Sequence, residues 1–252
     1  MKTKTKFILL LTSLFFLAGC SSQLEITALE DCSSHLDFKL ELGSVITQTI
    51  ESITQGLTEI ENASANVAVK ETAIFSKELI EDAFKVSDFK NVKAATPEKD
   101  KLNLSLDFPA PANQKVTTDR GNFKAANFVT CTKNSLTLIL SPEILKELSK
   151  NFSEESRSYL DLLMSPVFSD DEEMSSSEYI DLVEVVYGEK LAKELEKATV
   201  KISLIPPKGK TITKTALSET GQSKLSSNKA VFTLPLSDLL TLNSTKTFSI
   251  SF

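Results

Sequence analysis

The chain has 252 residues, 41% hydrophobic and 25% charged, with a formal net charge of −6. That apolar share argues against disorder throughout and supplies core material for one or two packed domains. The acidic balance argues against nucleic acid or anionic headgroups as general partners, because phosphate binding draws its strength from Lys and Arg.

Lys2, Lys4 and Lys6 precede an apolar run from Phe7 to Leu17, broken only by Thr12 and Ser13. A run this short cannot span a bilayer and reads as a secretory signal peptide. It closes in Leu17-Ala18-Gly19-Cys20. This stretch resembles the lipobox of bacterial lipoproteins, which implies cleavage after residue 19 and a diacylglycerol thioether on Cys20. The expected organisation is a signal peptide over 1–19, a lipidated tether over 20–23 and a folded domain over 24–252. Loss of the three leader lysines takes the formal charge to −9. The lipid on Cys20 is therefore the expected link to the membrane, each buried methylene contributing about 0.8 kcal/mol. The expected location is the cell envelope, with the leaflet left open.

Leu24, Ile26 and Ala28 alternate with polar residues, as do Leu36, Phe38, Leu40 and Leu42 beyond the Asp31-Cys32-Ser33-Ser34 turn. Period two on both sides of a turn predicts a β-hairpin. Gly43-Ser44 stops the second strand and offers a helix N-cap. Ile46, Ile50, Ile53, Leu57 and Ile60 then recur at helical spacing and form one apolar stripe. A cysteine followed at once by a strand, a hairpin and a helix resembles the LppM-type lipoproteins of bacterial envelopes over residues 20–60. The resemblance implies an envelope protein that binds lipids and transfers no functional residue.

Residues 61–75 carry no assignable pattern, and Ser76 to Lys85 predicts a helix with Leu79, Ile80, Ala83 and Phe84 on one side. Leu102, Leu104, Leu106 and Phe108 mark a strand ended by Pro109-Ala110-Pro111. Residues 112–122 read as a loop, and Phe123–Cys131 with Leu136–Leu140 as a second hairpin around Lys133-Asn134. Ser141-Pro142-Glu143 starts a helix. From 142 to 198 the apolar spacing is helical, which predicts a helical insert, with Ser175 and Glu178 as a capping box and Gly188 as a break. Lys201–Ile205, Ala230–Leu236 and Thr247–Phe252 are further strands, with a short helix at Ser237 to Leu242. This order predicts an α+β fold, a largely antiparallel sheet with packed helices.

The chemistry is sparse. His35 is the sole histidine and lies opposite Leu36 and Phe38 by alternation, which predicts a solvated side chain rather than a catalytic base. Zinc hydrolysis needs a His cluster that one imidazole cannot supply. Neither GxxxxGK[ST] nor GxGxxG occurs, so phosphate-cradling loops are absent and no cofactor or metal is expected. Asp170-Asp171-Glu172-Glu173 lacks the ligand spacing and turn glycine of an EF-hand loop and reads as a solvated linker. Cys32 and Cys131 are either a disulfide or two separate buried thiols.

The expected function is a non-enzymatic envelope lipoprotein that binds a hydrophobic ligand or an envelope protein partner. Leu160, Leu163, Met164, Ile180, Val183 and Val186 are the expected apolar groove. A carboxylate- or lysine-dependent enzyme and a structural surface lipoprotein without a small ligand are the alternatives.

Overall fold

Strict apolar alternation builds the central strands. The computed structural model describes residues 21–49, 51–52, 75, 77, 80–81, 89–110, 128–149, 165–168, 173–217 and 222–252. Strands β1 (Ser21–Ala28) and β2 (Ser34–Glu41) form the expected hairpin, with Leu24 opposite Phe38 and Ile26 opposite Leu36. Residues 21–23, expected in the tether, belong instead to β1. Ser21 faces Glu41, and Ser22 is buried between Leu40 and Val200. Strands on both sides take up the backbone N–H and C=O groups there, which overrides the polar side chains.

The remaining strands are β3 (Lys90–Ala95), β4 (Lys101–Phe108), β5 (Val129–Cys131), β6 (Ser135–Leu140), β7 (Thr199–Ile205), β8 (Lys214–Leu217), β9 (Gln222–Ser226), β10 (Lys229–Pro235) and β11 (Lys246–Ser251). They make a seven-stranded sheet ordered β3-β4-β2-β1-β7-β10-β9 and a four-stranded sheet ordered β5-β6-β11-β8. Only the β1–β7 pair is parallel; the other described pairs are antiparallel. With its helices the fold is α+β, as the sequence predicts.

Phe232 of β10 and Phe248 of β11 meet edge to face, ring centroids 5.4 Å apart, and both are fully buried. This contact joins the inner faces of the two sheets, with the geometry that aromatic quadrupoles favour. The outer face of the seven-stranded sheet is polar, as expected for an antiparallel sheet with one face in water.

Helical residues 44–49 follow β2, and Ile46 enters the core. Ile50, Ile53, Leu57 and Ile60 lie outside the described residues; of the predicted 76–85 helix, only residues 77, 80 and 81 are described, and Ile80 is buried. Between β6 and β7 lie α1 (Pro142–Ser149), α2 (Ser165–Phe168), α3 (Ser176–Tyr187) and α4 (Glu189–Lys197); α5 (Leu236–Leu240) follows β10. The Ser175–Glu178 capping box is formed, and Gly188 at φ 93° separates α3 from α4. A non-glycine residue there would be strained. α4 buries Leu191, Ala192 and Leu195. Its Glu194 carboxylate accepts from the amides of Val45 and Ile46 at 3.1 and 3.0 Å, and so caps the helical stretch after β2.

Candidate functional site

Two regions concentrate chemistry that folding alone does not demand. The first lies on the outer face of β2 and β4, where register sets His35 opposite Asp107 and Asp37 opposite Ser105. His35 Nδ1 is 2.5 Å from Asp107 Oδ1, and its Nε2 is 3.4 Å from Asp37 Oδ2 and 3.5 Å from Ser105 Oγ. Asn91, held at φ 54° beside the β3 bulge, donates to Asp107 Oδ2 at 2.5 Å. His35 is thus half-buried and paired, where alternation alone predicts a solvated side chain. Burial pushes the Asp107 carboxyl up, but the hydrogen bonds from His35 and Asn91 outweigh it and hold the group below its ordinary value.

Ser105, His35 and Asp107 repeat the connectivity of a nucleophile, base and orienting acid. The surroundings oppose that chemistry. Asp37 competes for the same imidazole nitrogen and sets a negative charge opposite Ser105, which disfavours a developing oxyanion nearby. Ser105 lies between β2 and β3 within the sheet, opposite Asp37 and Lys93, so the ladders engage its backbone rather than leaving it to stabilise an oxyanion. The adjoining hollow, lined by Asp37, Lys93, Asn103 and Ser105, holds about 160 Å³, against roughly 300 Å³ for the smaller ligand pockets. Among the described residues no group of three or more His, Cys, Asp or Glu side chains could hold a metal ion.

The second region is α3. Tyr179 and Val183, one turn apart, bury its core face. Burial pushes the Tyr179 hydroxyl up to about 12, with a smaller contribution from Tyr187. Leu182, Val185 and Val186, at positions i, i+3 and i+4, form a second apolar stripe that stays in water. They are 43%, 84% and 58% exposed, and Tyr187 extends the stripe at 45%. Asp181, Glu184 and Glu189 are exposed around it.

The expected groove is therefore split. Val183 fills the core because it shares the face of Tyr179; Ile180 is half-buried, and Val186 alone of the described members is exposed. Leu160, Leu163 and Met164 lie outside the described residues, as do Cys20 and Asp170-Asp171-Glu172. Glu173 is exposed, beside Asn243 at 3.4 Å. Val185 and Leu182 were legible as a second helical stripe but are absent from the expected groove, since periodicity does not say which of two apolar faces meets the core. Cys32 and Cys131 are both free thiols, Cys131 within the core and Cys32 half-buried against it.

No protein-family model matches the chain, and no curated protein matches it.

Proposed function

We propose that this is a non-enzymatic envelope lipoprotein, exported by residues 1–19, anchored through lipid on Cys20, and bound to an envelope protein through the exposed stripe of α3. The observation that carries the binding part is the second stripe itself. Tyr179 and Val183 already supply the core face, yet Leu182, Val185 and Val186 remain in water. A partner that covers them gains roughly 25 cal/mol per Å² of apolar surface removed from solvent. The acidic rim of Asp181, Glu184 and Glu189 disfavours anionic lipid headgroups. It suits a protein that surrounds an apolar centre with Lys or Arg.

The signal-peptide pattern and the lipobox resemblance support the anchor. With β1 beginning at Ser21, lipid on Cys20 holds the sheet against the bilayer with almost no slack. Asp37 beside Ser105 supports the non-enzymatic reading, because its charge opposes an oxyanion.

Fatty-acid labelling and membrane fractionation of Cys20→Ala test the anchor. Labelling is expected to vanish and the protein to leave the membrane fraction; unchanged labelling overturns the assignment. A photo-crosslinking residue at Val185 of the anchored chain tests the surface. The expected product is an envelope protein with a basic surface around the contact, weakened by salt and lost on Leu182→Glu. Crosslinking to lipid, or to nothing, overturns the protein partner.

A further inference from the structure

Cys32 sits in the β1–β2 turn at φ 62°, half-buried. The turn is closed by Leu29 N donating to Ser33 O at 2.9 Å and Cys32 N donating to Leu29 O at 3.1 Å. Asp31 Oδ1 accepts from both the amide and the hydroxyl of Ser33. The position of the Cys32 Cα is thus set by the turn rather than by the thiol. Cys131 ends β5, faces inward with Val129, and is 5% exposed.

These two elements belong to different sheets, β1–β2 to the seven-stranded one and β5 to the four-stranded one. The sheets meet at this end. Phe108, opposite Ser34 in the β2–β4 ladder, packs against Phe128 just before β5, with ring centroids 6.0 Å apart. Across the same seam Cys32 packs against the core that contains Cys131, near enough for its sulfur to affect the Cys131 thiol.

We propose that Cys32 and Cys131 are a redox latch between the two sheets, in which Cys32 is the thiol that meets an external disulfide and Cys131 the one that resolves it. The oxidant is a disulfide of the thiol-exchange class, either a small-molecule disulfide or the disulfide of an oxidoreductase. Cys32 gives its proton to water, and its sulfur attacks one sulfur of that disulfide. The external S–S bond breaks and one half leaves, taking up a proton to become a thiol. Cys131 then loses its proton, its sulfur attacks Cys32 Sγ in the mixed disulfide, and the second half leaves as a thiol. Two protein thiols are oxidised and one external disulfide is reduced to two thiols.

Exposure sets the order of the two steps, since an external disulfide can reach Cys32 and not Cys131. Burial first, and then the neighbouring Cys32, push the Cys131 thiol up to about 12. While Cys32 is a free thiol the Cys131 thiolate is therefore scarce at neutral pH, which leaves Cys32 as the first nucleophile. The product would close a loop of about 100 residues, a length at which a cross-link removes much of the entropy of the unfolded chain.

The test is oxidation of the reduced, folded full chain with glutathione disulfide, followed by alkylation without reduction and peptide mapping. Mapping reads Cys32 and Cys131 separately, so the result does not depend on the state of Cys20 or on the anchor. The expected product is a Cys32–Cys131 peptide pair, with melting raised by on the order of 10 °C over the reduced form. Cys131→Ser should accumulate one glutathione on Cys32, whereas Cys32→Ser should stay unmodified. With the wild-type chain, which avoids any folding defect of the variants, limiting iodoacetamide should label Cys32 well before Cys131. Two separately alkylated cysteines after oxidation overturn the latch. Equal labelling rates for the two thiols, or glutathione on Cys131 in Cys32→Ser, overturn the assigned order.

Discussion

Single carboxylates tie distant strands and helices together in this protein, and each can be tested alone. Asp107 accepts from His35 and Asn91, and its folded value lies below that of an unfolded carboxyl. The sign follows from the lowered value: its stabilisation is complete above about pH 4 and is lost as pH falls through the folded value. Asp107→Asn is expected to cost about 1 kcal/mol at pH 7, because the pair is partly screened by solvent. Urea melts at a series of pH values should show the difference from wild type shrinking in acid; a constant difference would sink the assignment. Glu194 works differently, as a cap supplied by a distant helix to Val45 and Ile46. A Cβ on Gly43 would collide with that carboxylate. Gly43→Ala and Glu194→Gln are each expected to cost about 1–2 kcal/mol, and the double variant less than their sum, since both disturb one cap. Full additivity in denaturant melts would show that the two residues act separately.

At the scale of the element, α3 carries two apolar faces with opposite fates. Val183 is in the core, so Val183→Ala removes buried methyl groups and leaves a void, at about 2 kcal/mol. Val185 is 84% exposed, so Val185→Glu is expected to shift stability by less than about 0.5 kcal/mol while abolishing capture of the partner. Thermal melts and Val185-directed crosslinking separate the two effects. A strong loss of stability from Val185→Glu would mean that the stripe serves the fold rather than a partner. The helix itself does not depend on that stripe, since the Ser175–Glu178 box starts it and Gly188 stops it.

Over the whole molecule, β1 is the hinge of the topology. It pairs with β2 next in sequence and with β7 from beyond the helices, so the seven-stranded sheet closes only after residues 199–205 arrive. Such a long-range parallel pairing carries a large loop-closure cost and should make folding slow. Amides of β1, β7 and β10 are flanked by strands on both sides, whereas β9 ends the sheet and every residue of it is exposed. Hydrogen exchange is therefore expected to be slowest in β1, β7 and β10, near the global unfolding limit, and much faster in β9. Protection of β9 equal to that of β1 would contradict this order.

Strands with one wet and one dry face were legible from alternation alone, as at Leu36, Phe38 and Leu40, because the period of the side chains is the period of the pleat. Capping was legible too, since Ser175 and Glu178 act within one turn of chain. Three of the four edge strands were not: β3, β8 and β9 are held by backbone pairing to a neighbour and need no apolar alternation of their own. The same limit applies to the functional regions. Sequence placed His35 opposite the core face and marked Cys32 and Cys131 as a pair or two separate thiols. Register decided that His35 meets Asp107, and the seam between two sheets decided that Cys32 packs against the core that holds Cys131. Both are distances between residues about 70 and 100 positions apart, which local periodicity does not encode and packing of the whole chain does.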